Sequence, residues 1–456
     1  MSSGLVSDLR AAVGPDNTLT DADVLSSYVR DWTGRFTGPA AAVVRPADTF
    51  QVAAVLAACV EHSVPAIPQG GNTGLVGGSV PGRSGCPPVV VSMTRMSTVG
   101  DVDRRSAQVT VDAGATLGTV QASARAAGLQ FPVDLAARDS ATIGGMVATN
   151  AGGLHVLRYG AMRSQVLGLE AVLGDGSVVS RLSGLVKDNT GYDLSQLLVG
   201  SEGTLGVVTK VRLRLAPATP ERVVALLGLS DTAQAVDVVA GLRQSADGLS
   251  AAEIFYGDGL DAVLAHSGLP APFGRRWPVY LLVECAGRRS PLDSLAEALG
   301  DLPLEDDATA VADDPSGMER LWAYRERHTE AVNALGVPHK LDVTVPIEAL
   351  AGFERDVRAT VEAAAPGSRL VLFGHVGDGN LHVNVVGPDP DDEAVDDAVL
   401  RLATDRGGSI SAEHGIGRAK VAWLGLSRSE AEMSAMRAVK AALDPQGVLN
   451  PGVLLA

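Results

Sequence analysis

The sequence predicts an α+β protein built from two domains. Residues 40–215 alternate stretches of helical spacing with short strand-like apolar runs, as α+β domains do. A proline-rich break, APATPE at Ala216–Glu221, then interrupts this pattern. Beyond it, apolar runs such as WPVYLLVECAG and SRLVLFGHV alternate with charged helical stretches. We therefore predict one domain over residues 1–218 and a second domain over residues 219–456.

Short apolar runs bounded by proline and glycine predict the strands of the first domain. Two lie at Ala41–Arg45 and Pro65–Pro68, and later runs are VVVSM, QVTVDAG and GVVTKVRLRL. Between the first two, we expect Thr49 to cap a helix whose apolar side chains recur every 3.6 residues. In the second half, residues 317–335 predict one continuous amphipathic helix, and another helix precedes the C-terminal tail.

The charge balance excludes several classes of partner. The 456 residues include 37 Lys and Arg against 53 Asp and Glu, which gives a formal charge of −16 at pH 7. Such a charge repels nucleic acid and anionic membrane surfaces, so we expect neither as a partner. The three cysteines form no CxxC motif, the N-terminal residues lack a signal-peptide pattern, and no apolar run has the length of a membrane span. We therefore expect a cytoplasmic protein.

Three glycine-dense loops in the first half predict a site for a long, phosphate-containing ligand. They are PQGGNTGLVGGSVP (Pro68–Pro81), DSATIGGMVATNAGG (Asp139–Gly153) and GSEGTLGVV (Gly200–Val208). Consecutive backbone N–H groups in such loops form concave anion sites, and Asp139 or Ser140 can cap a short helix whose N-terminus attracts phosphate. The loops match neither the Walker A motif nor the dinucleotide fingerprint. One loop alone is explained equally well by a surface turn, but three indicate an extended ligand with a central pyrophosphate.

The second half contains two histidines that a hairpin would bring together. In FGHVGDGNLHVNVV (Phe373–Val386), Gly377–Asn380 has the composition of a four-residue turn between antiparallel strands. That register places His375 directly opposite His382, with Asn384 on the same face. Two adjacent imidazoles suit a divalent metal such as Zn²⁺, and the alternative is a stacked or hydrogen-bonded histidine pair in a core.

A metal site needs a third ligand, and SAEHGIGRAK (Ser411–Lys420) offers one. Neighbouring side chains of an extended chain point apart, so Glu413 and His414 cannot easily bind the same ion. One carboxylate ligand and one base is the economical interpretation. The alternative is an exposed polar turn.

Basic residues that could bind an anionic substrate lie just before the hairpin. A continuous helix would place Arg325 and Thr329 on one face, and Lys340 follows on a strand. Arginine binds carboxylates through two parallel hydrogen bonds, and lysine acts as a point charge. The alternative is that Arg325 is solvated or paired with Glu326 or Glu330.

Taken together, these motifs resemble a flavoprotein superfamily. PQGGNTGLVGG, PVDLAARDSATIGGMVATNAGGLHVLRYG and LLVGSEGTLGVVT are similar to the FAD-binding half of the vanillyl-alcohol oxidase / p-cresol methylhydroxylase superfamily. RERHTEA, HKLDVTVP, GHVGDGNLHVNV, SAEHGIG and LDPQGVLNPG resemble its D-2-hydroxy-acid dehydrogenase branch, and the resemblance runs from about Asp31 to Leu454. It implies a two-subdomain FAD-binding module of the p-cresol methylhydroxylase type and an α+β cap domain with an antiparallel sheet. It also implies that residues 411–456 return to pack near the flavin.

The resemblance implies that FAD binds non-covalently. Gly70–Gly74 and Ser140–Gly145 would contact its pyrophosphate, and Gly203–Val207 would lie near the adenosine half. The first glycine loop contains no His or Cys for a covalent bond, and we expect a packing role for His155. The cofactor residues that the resemblance implies are Pro68, Gly70, Gly71, Asn72, Thr73, Gly74, Leu75, Pro132, Asp134, Ser140, Thr142, Ile143, Gly144, Gly145, Ala148, Asn150, Gly152, Gly153, Tyr159, Gly203, Gly206, Val207 and Asn450.

The resemblance also implies a reaction, the oxidation of a D-2-hydroxy acid to a 2-oxo acid. D-2-hydroxyglutarate is the favoured substrate, with D-lactate and glycolate as alternatives. The C2 hydride would pass to flavin N5 and the hydroxyl proton to His414. A divalent metal, preferably Zn²⁺, would be held by His375, His382 and Glu413. The implied substrate contacts are Arg325, Thr329, Lys340 and Asn384.

Two other classes of function compete with this interpretation. A metal hydrolase using the same histidines leaves the three glycine loops unexplained. A flavin-carrying, non-catalytic subunit of a larger complex accounts for the loops but needs no substrate. The sequence leaves open the electron acceptor, the choice between dehydrogenase and oxidase, and assembly as a homodimer.

Overall fold

The chain forms two compact units in the computed structural model, which describes residues 3–83, 85–305 and 307–455. The first unit contains the chain up to Gly153, then Gly160–Pro217, and the chain from Glu413 onward. The second unit contains Leu154–Tyr159 and Ala218–Ala412. The division after Pro217 falls inside the proline-rich break, where the sequence changes its pattern.

Strands and helices occur in both units. The strands are β1 Thr18–Leu19, β2 Ala42–Val44, β3 Ala66–Gln69, β4 Val89–Ser92, β5 Gln108–Asp112, β6 Leu129–Gln130, β7 Val166–Val172, β8 Val178–Ser180, β9 Val207–Arg214, β10 Ala216–Pro217, β11 Glu221–Leu229, β12 Leu249–Tyr256, β13 Val279–Gly287, β14 Thr309–Ala312, β15 Pro338–Thr344, β16 Arg369–His375 and β17 Asn380–Val386. The α-helices are α1 Ser3–Val13, α2 Ala22–Leu25, α3 Thr49–Glu61, α4 Leu117–Ala126, α5 Ile143–Thr149, α6 Val156–Tyr159, α7 Met162–Gln165, α8 Leu194–Leu198, α9 Thr232–Ser245, α10 Gly257–Ser267, α11 Leu292–Gly300, α12 Pro315–Glu326, α13 His328–Leu335, α14 Leu350–Ala364, α15 Ala394–Asp405, α16 Leu424–Ser427 and α17 Glu430–Leu443. In the three described segments, none of these helices combines the length and the apolar character needed to cross a lipid bilayer.

Two four-stranded sheets form the framework of the first unit. One has the order β1-β2-β4-β3, in which β2, β4 and β3 run parallel, and the other has the order β5-β9-β7-β8 and is antiparallel. Buried aliphatic side chains from both sheets, including Val44, Val91, Val111 and Val211, belong to one apolar core. The two sheets agree with the predicted two-subdomain architecture.

Helix α3 confirms the predicted apolar spacing but begins one residue earlier than expected. Val52 and Val55 on this helix are fully buried. The predicted cap at Thr49 is wrong, because Asp48 accepts the Gln51 N–H at 2.8 Å. The Thr49 hydroxyl instead donates to the Glu170 carboxylate at 2.6 Å. Aspartate thus takes the capping position, which leaves the neighbouring threonine to bond across the fold.

A seven-stranded, wholly antiparallel sheet forms the second unit. Its strand order is β14-β11-β13-β12-β16-β17-β15. Aromatic and aliphatic side chains such as Phe255, Tyr280, Trp322 and Phe373 form its buried core. The predicted antiparallel sheet in an α+β second half is confirmed. The neighbours β12 and β16 are not consecutive strands: Glu253 faces His375, 122 positions later in the chain. This pairing builds the candidate site.

The predicted continuous helix over residues 317–335 is wrong. Helix α12 ends at Glu326 and α13 begins at His328, with Arg327 between them. The His328 ring donates from Nδ1 to the Arg325 carbonyl oxygen at 3.1 Å, and this bond satisfies a carbonyl at the end of α12. Arg325 and Thr329 consequently lie in different helices, and their spacing does not place them on one helical face.

Candidate active site and cofactor cradle

The first two glycine loops lie against each other in the first unit. A Cβ atom on Gly71 would overlap the Ser140 carbonyl oxygen, and one on Gly70 would overlap Thr142 Oγ1. Glycine is therefore required at both positions because backbone meets backbone or a capping side chain. At Gly74, in contrast, an added Cβ would meet no described atom within 4 Å. The paired loops form a cradle of backbone groups that faces open space at Gly74.

Helix α5 begins later than the sequence suggested. Its N-cap is Thr142, whose hydroxyl accepts the Gly145 N–H at 3.4 Å, rather than Asp139 or Ser140. The helix ends at Thr149, and its C-cap Asn150 has a left-handed backbone with φ of 49°. The Asn150 side chain accepts the Arg163 N–H at 2.8 Å. Because α5 has only seven residues, the cradle depends on loop backbone more than on a helix dipole.

The third glycine loop meets the C-terminal tail around Asn450. The Asn450 amide donates to the Glu202 carbonyl at 2.7 Å and to the Gly78 carbonyl at 2.9 Å. A Cβ on Gly203 would lie 3.1 Å from the Pro68 ring. Asn450 Oδ1 is buried and has no hydrogen-bond partner among the described residues. A buried acceptor without a donor is costly, so this atom fits a ligand that donates a hydrogen bond.

These features test whether the first unit can hold FAD, and they agree with FAD binding. The loops that meet are those that the resemblance assigns to the pyrophosphate, and Asn450 supplies a buried polar atom beside them. As whole residues, Ile143 and Val207 are 0% and 1% exposed, so neither presents an accessible surface to a ligand. Tyr159 lies in the second unit, where the Arg158 guanidinium stacks on its ring at 5.1 Å. The predicted roles of all these residues stay predictions.

Glu202, a residue outside the prediction, holds the loop that carries Glu413 and His414. The Glu202 carboxylate accepts the N–H groups of Ile416 at 2.8 Å and Gly417 at 2.7 Å. Burial raises the pKa of Glu202, and the two backbone hydrogen bonds oppose that shift. In the same unit, the Glu413 carboxylate accepts the Gly153 N–H at 2.8 Å. Glu413 and His414 are half-buried, which excludes the alternative of a fully exposed polar turn.

The hairpin brings the two histidines together in a register different from the predicted one. In β16 and β17, His375 faces Asn380 and Phe373 faces His382, so the histidines are diagonal rather than directly opposite. Their ring centroids lie 5.6 Å apart. The connection is residues 376–379, one residue earlier than predicted, because Asn380 is held in the strand. Its amide donates to Asp342 Oδ1 at 2.8 Å and to a neighbouring backbone carbonyl at 2.9 Å.

A buried carboxylate lies behind each histidine. His375 Nδ1 lies 2.6 Å from Glu253 Oε1, and His382 Nδ1 lies 3.4 Å from Asp342 Oδ1. Both carboxylates are fully buried. Metal-binding histidines commonly use one ring nitrogen for a carboxylate and the other for the ion. The donor set in the second unit therefore fits a divalent metal and argues against a simple core pair of histidines.

Sequence reasoning missed Glu253 and Asp342, although each carries a signal. Glu253 is the one charged residue in the apolar strand LSAAEIFY, and Asp342 interrupts the strand PHKLDVT. Buried carboxylates are costly and occur where they are paired. A lone acidic residue within a buried strand therefore predicts a charged or polar partner beside it, as Glu253 and Asp342 have here.

Arg325 has a partner that the sequence did not indicate. Its Nε lies 2.9 Å from Glu253 Oε2, although the angle is poor for a hydrogen bond, and its guanidinium lies 4.5 Å from the centroid of the Phe373 ring. The side chain is buried and its ion-pair partner is Glu253, which argues against the alternative that Arg325 is solvated. Arg325 is thus held over the sheet face that carries the histidines.

The remaining predicted substrate residues divide into two groups. Lys340 faces Asn384 in the ladder between β15 and β17, two residues from the pair formed by Asp342 and His382, so all four side chains share one face. Burial lowers the pKa of Lys340. Thr329 is exposed and lies in α13, outside that ladder.

Comparison with known proteins identifies the family. Residues 40–181 match a family described as "FAD binding domain" and residues 218–454 match "FAD linked oxidases, C-terminal domain". The second match alone covers more than half of the chain. The chain belongs to the FAD-linked oxidases. The family match confirms FAD, the cofactor that the resemblance implied, whereas non-covalent attachment and the metal stay predictions.

This FAD-linked oxidase has full-length relatives. It is 39% identical over 450 residues to "D-2-hydroxyglutarate dehydrogenase, mitochondrial" of Danio rerio, a match that covers 96% of this chain and 83% of the relative. It is 38% identical over 465 residues to "D-2-hydroxyglutarate dehydrogenase" of Xanthomonas citri pv. viticola. That match covers 100% of this chain and 97% of the relative. These relatives confirm the predicted relation to the D-2-hydroxy-acid dehydrogenase branch.

Solved structures of low sequence identity share the fold of this FAD-linked oxidase. Alkyldihydroxyacetonephosphate synthase superposes with a TM-score of 0.77 at 16% identity, covering 99% of this chain and 86% of that one. p-Cresol methylhydroxylase with substrate bound superposes with a TM-score of 0.75 at 17% identity, covering 98% of this chain and 95% of that one. The predicted fold of the p-cresol methylhydroxylase type is confirmed.

Proposed function

We propose that this FAD-linked oxidase oxidises D-2-hydroxyglutarate to the corresponding 2-oxo acid with the help of a divalent metal. The names of its full-length relatives support the substrate. The observation that carries the proposal is the sheet face of the second unit, where His375 and His382 lie beside Lys340 and Arg325 is held by Glu253. Such a face combines metal-binding imidazoles with cations for carboxylates.

The metal ligands in this proposal are His375, His382 and Glu413. Two imidazoles and one carboxylate are a set that Zn²⁺ accepts while it keeps a position for substrate. When bound, such an ion lowers the pKa of a coordinated hydroxyl group. Two observations support Glu413 as the third ligand. Its side chain is a carboxylate, which Zn²⁺ accepts, and it lies next to a residue that is hydrogen-bonded to β15. It follows Ala412, whose N–H donates to the backbone oxygen of Asp342 at 3.3 Å.

Substrate charge is the second part of the proposal. A 2-hydroxydicarboxylate needs cations within a protein whose net charge is −16. Arg325 and Lys340 supply them, with Asn384 and Thr329 as neutral polar contacts. An anion beside Lys340 would raise the pKa that burial has lowered, so substrate binding and protonation of this amine support each other.

Proton removal is assigned to His414. An alcohol hydroxyl is a weak acid, so a positioned imidazole is needed to accept its proton as the C2 hydride leaves. FAD, when bound, supplies the hydride acceptor. The Glu202 carboxylate holds the backbone just after His414 and so limits the movement of this base. In the same proposal, residues 411–456 pack near the flavin, and the paired loops around Gly71 and Ser140 hold the pyrophosphate.

Anaerobic bleaching of the flavin absorbance tests the assignment. We expect D-2-hydroxyglutarate to bleach it faster than D-lactate, glycolate or the L enantiomer of the substrate. A strong chelator should abolish bleaching, and added Zn²⁺ should restore it. Faster bleaching by D-lactate would assign the shorter substrate, and activity after complete metal removal would contradict the metal. A yellow protein that no hydroxy acid bleaches would indicate a non-catalytic flavin-carrying subunit.

We further infer a cytoplasmic enzyme that passes electrons from the reduced flavin to a separate acceptor. The name of the bacterial relative mentions no organelle, whereas the name of the fish relative includes the word "mitochondrial". The sequence left assembly as a homodimer open, and light scattering at defined protein concentration measures it. Cell fractionation tests the location.

A further inference from the structure

One buried carboxylate links the metal-binding and substrate-binding parts of the second unit. Glu253 is 0% exposed in the middle of β12. Its Oε1 lies 2.6 Å from His375 Nδ1, and its Oε2 lies 2.9 Å from Arg325 Nε. The two oxygens of one side chain thus contact a proposed metal ligand and a proposed substrate cation.

The sheet itself gives no reason for a carboxylate at this position. Its neighbours in β12, Ala252 and Ile254, are buried apolar residues, and Leu282 faces it on β13. A buried charge without a role would be replaced at little cost by an apolar side chain. The contacts of Glu253 therefore identify its role.

We propose that Glu253 is a positioning residue that couples metal binding to carboxylate binding. Contact with Nδ1 sets the His375 tautomer in which that nitrogen carries the proton, so Nε2 is the nitrogen that binds metal. The charge of Glu253 beside Nε, together with the Phe373 ring 4.5 Å from the guanidinium carbon, keeps Arg325 on this face of the sheet. The proposal deepens the function above and rests on it.

The chain offers a matched control in Glu284. This residue lies on β13, next to β12 in the same sheet, and is also buried. It too lies near one histidine and one arginine, His155 at 3.4 Å and Arg222 at 3.6 Å. Neither of these partners is a proposed ligand of metal or substrate. Glu284 also accepts the Trp322 indole N–H at 3.2 Å, and Trp322 is not a proposed ligand either. Neutralising Glu284 therefore removes a buried carboxylate that contacts no proposed ligand in these interactions.

The experiment compares Glu253→Gln with Glu284→Gln and the wild type, all loaded with FAD. Glutamine keeps the size of the side chain but offers one acceptor oxygen instead of two. Competition with a fluorescent Zn²⁺ indicator should show affinity for Zn²⁺ falling about 10–100-fold in Glu253→Gln only. The KM for D-2-hydroxyglutarate should rise about tenfold because Arg325 loses a charged partner. Excess Zn²⁺ should restore kcat while KM stays raised, a separation that general loss of packing does not produce.

The outcomes distinguish this proposal from the function on which it rests. Equal losses of Zn²⁺ affinity in both variants would show a general packing effect and overturn the coupling. Wild-type Zn²⁺ affinity and KM in Glu253→Gln would overturn it as well, while oxidation of hydroxy acids would still stand. If Glu253→Gln alone binds Zn²⁺ weakly but no hydroxy acid bleaches the wild type, the metal-positioning role stands and the substrate assignment fails.

Discussion

The fully buried His328 should make the stability of the second unit depend on pH, and Asn at this position should remove this contribution. The imidazole packs between the rings of Phe255 and Phe373, with centroids 5.1 Å away in each case. Burial, with the charge of Arg325 as a second cause, lowers the pKa of His328 from 6.5 to about 3. The unfolded imidazole therefore takes up a proton near pH 6.5, whereas the folded one stays neutral until about pH 3.

The magnitude follows from linkage between protonation and folding. Each pH unit below 6.5 costs about 1.4 kcal/mol of folding free energy until the folded pKa is reached. At pH 5 the wild type should thus have lost about 2 kcal/mol from this residue relative to pH 8. Asparagine cannot titrate, and its amide can still donate to the Arg325 carbonyl that His328 Nδ1 now contacts.

The assay is urea unfolding at pH 8 and pH 5, followed by tryptophan fluorescence. Trp277 and Trp322 are both buried in the second unit, so they report on its unfolding. We expect His328→Asn to be less stable than the wild type at pH 8, because its smaller side chain leaves a cavity. The difference should shrink by about 2 kcal/mol at pH 5. An unchanged difference between the two pH values would refute the assignment of this pH dependence to His328.

The remaining predictions concern the base, a metal ligand and the loop that carries the base. His414→Ala should retain FAD but slow flavin reduction roughly 10²–10⁴-fold, and unchanged turnover would remove this residue from the base role. His382→Ala should lose bound metal while its flavin absorbance is retained, and full metal content in metal analysis would contradict the ligand assignment. Glu202→Gln should raise amide hydrogen exchange in residues 413–417 by about tenfold, because one backbone N–H loses its charged acceptor. The exposed capping residue Glu432, changed to Gln, is the control that should leave exchange there unaltered.

Much of the cofactor cradle could be predicted because its chemistry is local. Gly70 and Gly71 are required by close backbone approach, and a run of glycines is visible without any tertiary information. Local chemistry also has limits. Asp48 rather than Thr49 caps α3, and Thr142 rather than Asp139 or Ser140 caps α5. Several residues in a row can serve as caps, and only packing decides among them.

The sequence by itself determined the α+β class, the flavin cradle, and the proximity of His375 and His382, because a short turn joins them. The tertiary structure alone decided the hairpin register and the contacts of Glu253 with His375 and Arg325. The physical reason is that β12 and β16 are adjacent in the sheet but far apart in the chain. Side-chain periodicity specifies which face of a strand is buried, whereas the order of strands depends on how the whole core packs.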